Sequence, residues 1–295
     1  MKTDIAWKFI IDELLTQFIS FFMPDLYDFV DFSKKPKALD NEFASLFPES
    51  KSEDRRVDKL FEVYLKNGTP KWILLNIEIQ SYEDSNFAKR MFQHYFRIFD
   101  KFDKEIDAIV IYTYKSDRHK YKKYESNFLE TKLSYEFRSY DIAEQKLEKL
   151  EKIKNPFSFI VQTLIKAFDY KESDNKNFNF KTELTKLLLD SDYSEYEVKK
   201  VFKFINFIME IKNKELRSKF YGEVLEMSAI KDYRLELTDF EEVALEIRDK
   251  KIEKENNKKI AQKLFLKNMP KEEILEITGL SIEEVEEVIK SISQE

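Results

Sequence analysis

Apolar and polar positions along the chain change period several times, and each change marks an element. Trp7, Ile10, Ile11, Leu14, Phe18 and Phe22 recur at helical spacing, which predicts one amphipathic helix over 4–22 ending before Pro24. Residues 25–50 keep no period apart from a short helical piece around Ala38–Leu46. Two strand-like runs follow, 55–66 and 72–80, around the turn Lys66-Asn67-Gly68-Thr69-Pro70. A helical stripe of Ala88, Met91, Phe92, Tyr95, Phe99 and Phe102 comes next, with Asp84 or Ser85 as its cap. This predicts Lys89, Arg90, Gln93, His94 and Arg97 on the flanks and outer side, His94 as a surface histidine.

Asp107–Tyr114 is nearly all apolar and reads as a buried strand beside the hairpin. Lys115–Lys123 is the most basic stretch, interleaved with Tyr114, Tyr121 and Tyr124, a mixture that suits phosphate contact and base stacking or simply a solvated loop. Thr131–Ser139 alternates as an edge strand. From Ala143 the pattern is helical: a charged piece, a buried helix opened by Asn155-Pro156, a polar linker at 171–179, two helices within 181–212, and further helices at 220–230 and 239–263. The tail predicts three short helices around 259–268, 271–277 and 281–292, with Gly279 as a stop and a Ser281/Glu284 capping box. The expected fold is therefore α+β over 1–142, a helical region over 143–256, and a helix-turn-helix-like tail over 257–295. Glu283, Glu284, Glu286 and Glu287 would meet phosphate with the wrong sign, which favours docking or homodimer formation for the tail over DNA reading.

The hairpin carries the candidate chemistry. Strand side chains alternate faces, so Trp72, Leu74, Asn76, Glu78 and Gln80 share one face, which turns polar at its end. A two-residue turn at Asn67-Gly68 would set Asp58 opposite Ile77, on the other face. A three-residue loop with a left-handed Gly68 sets it opposite Asn76 or Glu78 instead, joining Asp58, Glu78 and Gln80. Carboxylates that close resist ionising together. A divalent cation between them removes that cost, and the alternative is a sheet edge whose charges face water.

Composition narrows the classes. The 295 residues include 27 Phe and 15 Tyr, enough for a sizeable core, and a net charge of −6 that argues against a general nucleic-acid coat while leaving room for a local basic groove. Cysteine is absent and only three glycines occur, which removes thiolate chemistry and glycine-rich phosphate loops. The N-terminal run carries Asp4, Asp12 and Glu13 and does not read as a signal peptide. No run approaches the roughly 18–20 uninterrupted apolar residues of a membrane helix, so the expectation is a cytoplasmic protein.

Asp58, then Glu78-x-Gln80, then FAKRMFQHYFRIFDKF, resembles the PD-(D/E)XK nuclease superfamily. LDNEF at 39–43, NPFSFIV at 155–161 and the tail KKIAQKLFLKNMPKEEILEITGLSIEEVEEV make it most similar to the Rpn-like recombination-promoting nuclease / putative transposase family. The resemblance implies an αβββαβ core and Mg²⁺- or Mn²⁺-dependent hydrolysis of DNA, with nicking and double-strand cleavage both open and Gln80 favouring slow nicking. Asp58, Glu78 and the carbonyl of Ile79 would bind metal, and Glu42 would complete the site. Lys89, Arg90 and Arg97 would meet phosphate. Gln80 stands where the superfamily usually has lysine; it orients water by hydrogen bonds but brings no charge. That departure supports the alternative of a nuclease-like fold kept as a DNA-binding or assembly module.

Overall fold

The computed structural model describes residues 2–39, 57–78, 86–113, 120–170, 173–230, 256–267 and 269–280, with 284–286 and 288–289 of the last helix. The chain forms two compact units, residues 1–235 and 236–295.

In the first unit, α1 (Lys2–Glu13) and α2 (Leu15–Phe22) replace the single helix expected over 4–22, and Pro24 opens α3 (Pro24–Tyr27). Leu14 leaves helical geometry at φ −127°, ψ 39°, and across the break the two helices pack into one aromatic cluster. Trp7 meets Phe22, Phe157 and Phe204, while Phe22 sits edge-on to Tyr140 and Phe157. Both Trp7 and Phe18 are fully buried, each worth on the order of 2–3 kcal/mol.

A five-stranded mixed sheet follows, in the order β1 (Lys37–Ala38), β2 (Val57–Tyr64), β3 (Pro70–Glu78), β4 (Ile106–Tyr112), β7 (Arg138–Asp141). β1, β2 and β3 are antiparallel neighbours, whereas β3, β4 and β7 run parallel. Lys37–Ala38 is thus an edge strand, not the start of a helical piece; residues 40–46 lie outside the described residues. The parallel step from β3 to β4 needs a crossover, which α4 (Phe87–Phe102) supplies. Leu60, Trp72, Ala108, Val110 and Tyr112 form one face of the sheet and make a core with Phe87, Met91 and Ile98 of α4. The opposite face, with Phe61, Val63, Ile73, Ile109 and Ile111 buried, turns to the N-terminal helices, where buried Lys59 pairs with Asp12.

α4 is rotated relative to its predicted stripe. Its buried side chains are Phe87, Ala88, Met91, His94 and Ile98, while Phe99 is 42% exposed. His94 is therefore a core residue and not a surface one. The basic stretch continues into a strand, β5 (Lys123–Phe128), which pairs with β6 (Thr131–Glu136) in a hairpin separate from the main sheet. The run 131–139 is split at Phe137, because buried Phe137 carries the chain from that hairpin to the parallel edge strand β7.

After a 3₁₀ turn at Ile142–Glu144, the helices are α5 (Leu147–Leu150), α6 (Phe157–Asp169), α7 (Asp174–Leu189), α8 (Glu195–Ile208) and α9 (Lys214–Ile230). Asn155 accepts from the Phe157 amide and donates to the Gln17 carbonyl, tying the start of α6 to α2. The expected linker at 171–179 is mostly helix, since Ser173 caps α7 through the Lys176 amide. A Ser194/Glu197 capping box opens α8.

The second unit has helical residues 256–266 and a helix Lys271–Thr278 that ends at left-handed Gly279. Ala261, Ile274, Leu280, Val285 and Val288 form its core. The expected Ser281 cap lies outside the described residues. Among the described residues, no helix is long and apolar enough to cross a membrane.

Candidate functional site

The hairpin register is the first determinant of the site. Gly68 is left-handed at φ +87°, Leu65 and Thr69 are joined by a backbone bond of 2.8 Å, and the Asn67 carboxamide accepts from the Thr69 amide. The loop is therefore three residues, 66–68, and Asp58 pairs with Asn76. That is one of the two registers that bring Asp58 and Glu78 to a common face. Their positions are diagonal neighbours, roughly 7–8 Å apart by sheet geometry. They lie on the α4 side of the sheet, at the end where β3, β4 and β7 finish and β2 begins. The side chains of Asp58 and Glu78, and all of Glu42, Ile79 and Gln80, lie outside the described residues.

α4 starts at this same end, as the 5.8 Å contact of Phe87 with Tyr112 shows. Lys89 is exposed; Arg90 is half-buried, its guanidinium 5.2 Å over the Phe87 ring. Arg97 is exposed but lies two turns, roughly 10 Å, farther along the helix, towards the end where Phe102 meets Trp72. Arg90 thus begins α4 at the sheet end that carries the Asp58 and Glu78 positions, whereas Lys89 lies on the outer side of the helix and Arg97 is apart.

The pairing register also places Asp141 in the row of Glu78, two strands across through Tyr112. Asp141 forms an ion pair with Lys120, and both side chains are nearly buried, 9% and 13% exposed. Asp141 also accepts from the Ala143 amide as the cap of the 3₁₀ turn, and the Tyr112 hydroxyl holds the neighbouring Tyr121 carbonyl. Sequence reasoning missed this pair, because Lys120 sat in a stretch open to a solvated reading. The one available signal was the capping pattern Asp141-Ile142-Ala143-Glu144.

An open concavity of about 440 Å³ lies at the other end of the strands, against Tyr95, Ile106, Asp107, Tyr135 and Arg138. Arg138 is committed there: it donates to Asp107 and, through both terminal nitrogens, to Asp25. This holds the Asp25 carboxyl below the usual range. The clamp ties α3 to the sheet and is remote from the carboxylate positions.

Two acid positions on one face, near a cation at the start of the neighbouring helix, are residue types that a hard divalent ion takes. Among the described residues no group of three or more His, Cys, Asp or Glu could hold a metal; Glu42 and the side chains of Asp58 and Glu78 lie outside them. Comparison of the chain with protein-family models, with characterised proteins and with solved structures returns no match.

Proposed function

We propose that the chain is a divalent-metal-dependent DNA endonuclease of the PD-(D/E)XK type, similar to the Rpn-like family. The observation that carries this reading is the hairpin register, which gives Asp58 and Glu78 a shared face at the sheet end. The order of elements, α, three antiparallel strands, α, then a parallel strand, supports it as well.

In this reading Asp58, Glu78 and the Ile79 carbonyl hold Mg²⁺ or Mn²⁺, with Glu42 completing the set. Such an ion, when bound, polarises a phosphoryl oxygen and lowers the pKa of a coordinated water. Gln80 orients the attacking water through its carboxamide. Arg90 offsets negative charge developing on phosphate.

The test is relaxation of supercoiled plasmid with Mg²⁺. The wild type nicks, while Asp58→Ala and Glu78→Ala lose at least about a hundredfold in rate. Equal activity in all three proteins assigns the nicking to a contaminant. Gln80 favours a second reading, an inactive assembly module. It predicts Mn²⁺ affinity indifferent to Glu78→Gln, where the nuclease loses it.

A further inference from the structure

At about 100° per residue, α4 presents three arcs. Phe87, Met91, His94 and Ile98 face the core. Phe92, Tyr95, Phe96 and Phe99 follow one another at i, i+3, i+4 and i+7 and make a second, aromatic arc. Lys89, Gln93, Arg97 and Asp100 lie beyond it on the outer side, all exposed. The helix carries four cations against one acid in a chain whose net charge is −6.

The β5–β6 hairpin covers only part of the aromatic arc. Tyr124 stacks on Phe92 at 5.5 Å and Tyr135 meets Tyr95 at 4.9 Å. Phe96 and Phe99 stay 51% and 42% exposed, each a helical turn from a stacked ring. The same hairpin ends in Phe128 and Leu129, 75% and 85% exposed. Leu129 adopts φ +51°, a conformation that costs a non-glycine residue roughly 1–2 kcal/mol. An exposed leucine gains no burial to offset that cost, which makes the tip a candidate contact point.

We infer that a single-stranded stretch of DNA lies along the outer edge of α4, its bases stacking on Phe96 and Phe99 and its phosphates meeting Lys89 and Arg97, with Phe128 and Leu129 as a wedge at the hairpin tip. Flat aromatic faces beside cations are what sequence-tolerant single-strand binding needs, and apolar side chains on a projecting tip separate base steps. A second copy fits poorly. A two-fold contact would set this net-cationic helix against its own copy. The inference rests on the nuclease reading for the choice of DNA and names the form of substrate.

The experiment is fluorescence anisotropy in EDTA, comparing a labelled oligothymidine with a blunt duplex of equal length. The wild type binds the single strand more tightly. Phe96→Ala, Phe99→Ala and Phe128→Ala each weaken it about fivefold or more without changing thermal stability appreciably. Phe96→Trp retains affinity, and its fluorescence is quenched on binding. Unchanged affinity in the alanine variants, or tighter binding of the duplex, overturns the inference. So does co-sedimentation with phosphatidylserine vesicles that the same variants lose, which assigns the arc to lipid. Chelation separates the two readings. A protein that nicks through Asp58 and Glu78 yet ignores Phe96→Ala loses only the stacking platform. One that binds single strands and never nicks loses the enzymatic claim.

Discussion

Lys181 makes the stability of the helical region depend on pH in a way that can be worked through from its surroundings. Its side chain, from α7, is 2% exposed. The ammonium donates to the Asn206 carboxamide oxygen at 2.6 Å and lies 4.4 Å from the Phe220 ring centroid. Burial pushes its pKa down to about 7, against an opposing pull from Glu210. Between that value and the ordinary 10.5, the unfolded chain holds the proton and the folded one does not, so stability rises with pH. The slope approaches about 1.4 kcal/mol per pH unit, a rise on the order of 2–3 kcal/mol between about pH 7.5 and about pH 9.5. The window stops there because burial pushes the Tyr193 and Tyr196 hydroxyls up to about 12, and tyrosine ionisation in the unfolded chain reverses the trend above about pH 10. Urea unfolding across the window should show this rise in the wild type and its loss in Lys181→Met. The slope is the readout, not the offset at one pH. The variant also strands the Asn206 oxygen, whose other partner, the Tyr221 hydroxyl, is 3.5 Å away, at a cost of about 1–3 kcal/mol. A flat or falling wild-type profile, or an unchanged slope in Lys181→Met, would refute the assignment.

Two further perturbations have defined outcomes. Lys120→Met leaves the Asp141 carboxylate nearly buried without its counter-charge and should cost about 3–5 kcal/mol in urea melts; Lys120→Met with Asp141→Leu should recover much of that loss. Leu129→Gly relieves the left-handed strain at the hairpin tip and should raise stability by up to about 1 kcal/mol by thermal melt while weakening oligothymidine binding.

Local rules carried much of the architecture. Alternation in β3 put Glu78 and Gln80 on one face and the glycine located the turn, since side-chain period depends on a few adjacent residues; the loop parity that brings Asp58 to the same face came from the structure. The helix at 271–278 was legible for the same reason, because its stop is a left-handed glycine, a short-range device; the cap of the helix at 195–208 was seen only in the structure.

What lay beyond the sequence depended on which surface each apolar residue met. α4 carries enough aromatics for two adjoining stripes, and only the sheet on one side and the β5–β6 hairpin on the other decided that His94 is inside and Phe99 half outside. Thr131–Ser139 reads as one alternating run, yet its halves join different partners because Phe137 buries against Phe87. The Lys120–Asp141 pair unites residues 21 apart that no periodicity connects. Chain-local chemistry thus determined the elements and the hairpin's candidate acids, whereas helix rotation, strand partnership and the buried ion pair came from long-range packing, where the free energy depends on neighbours far away in the chain.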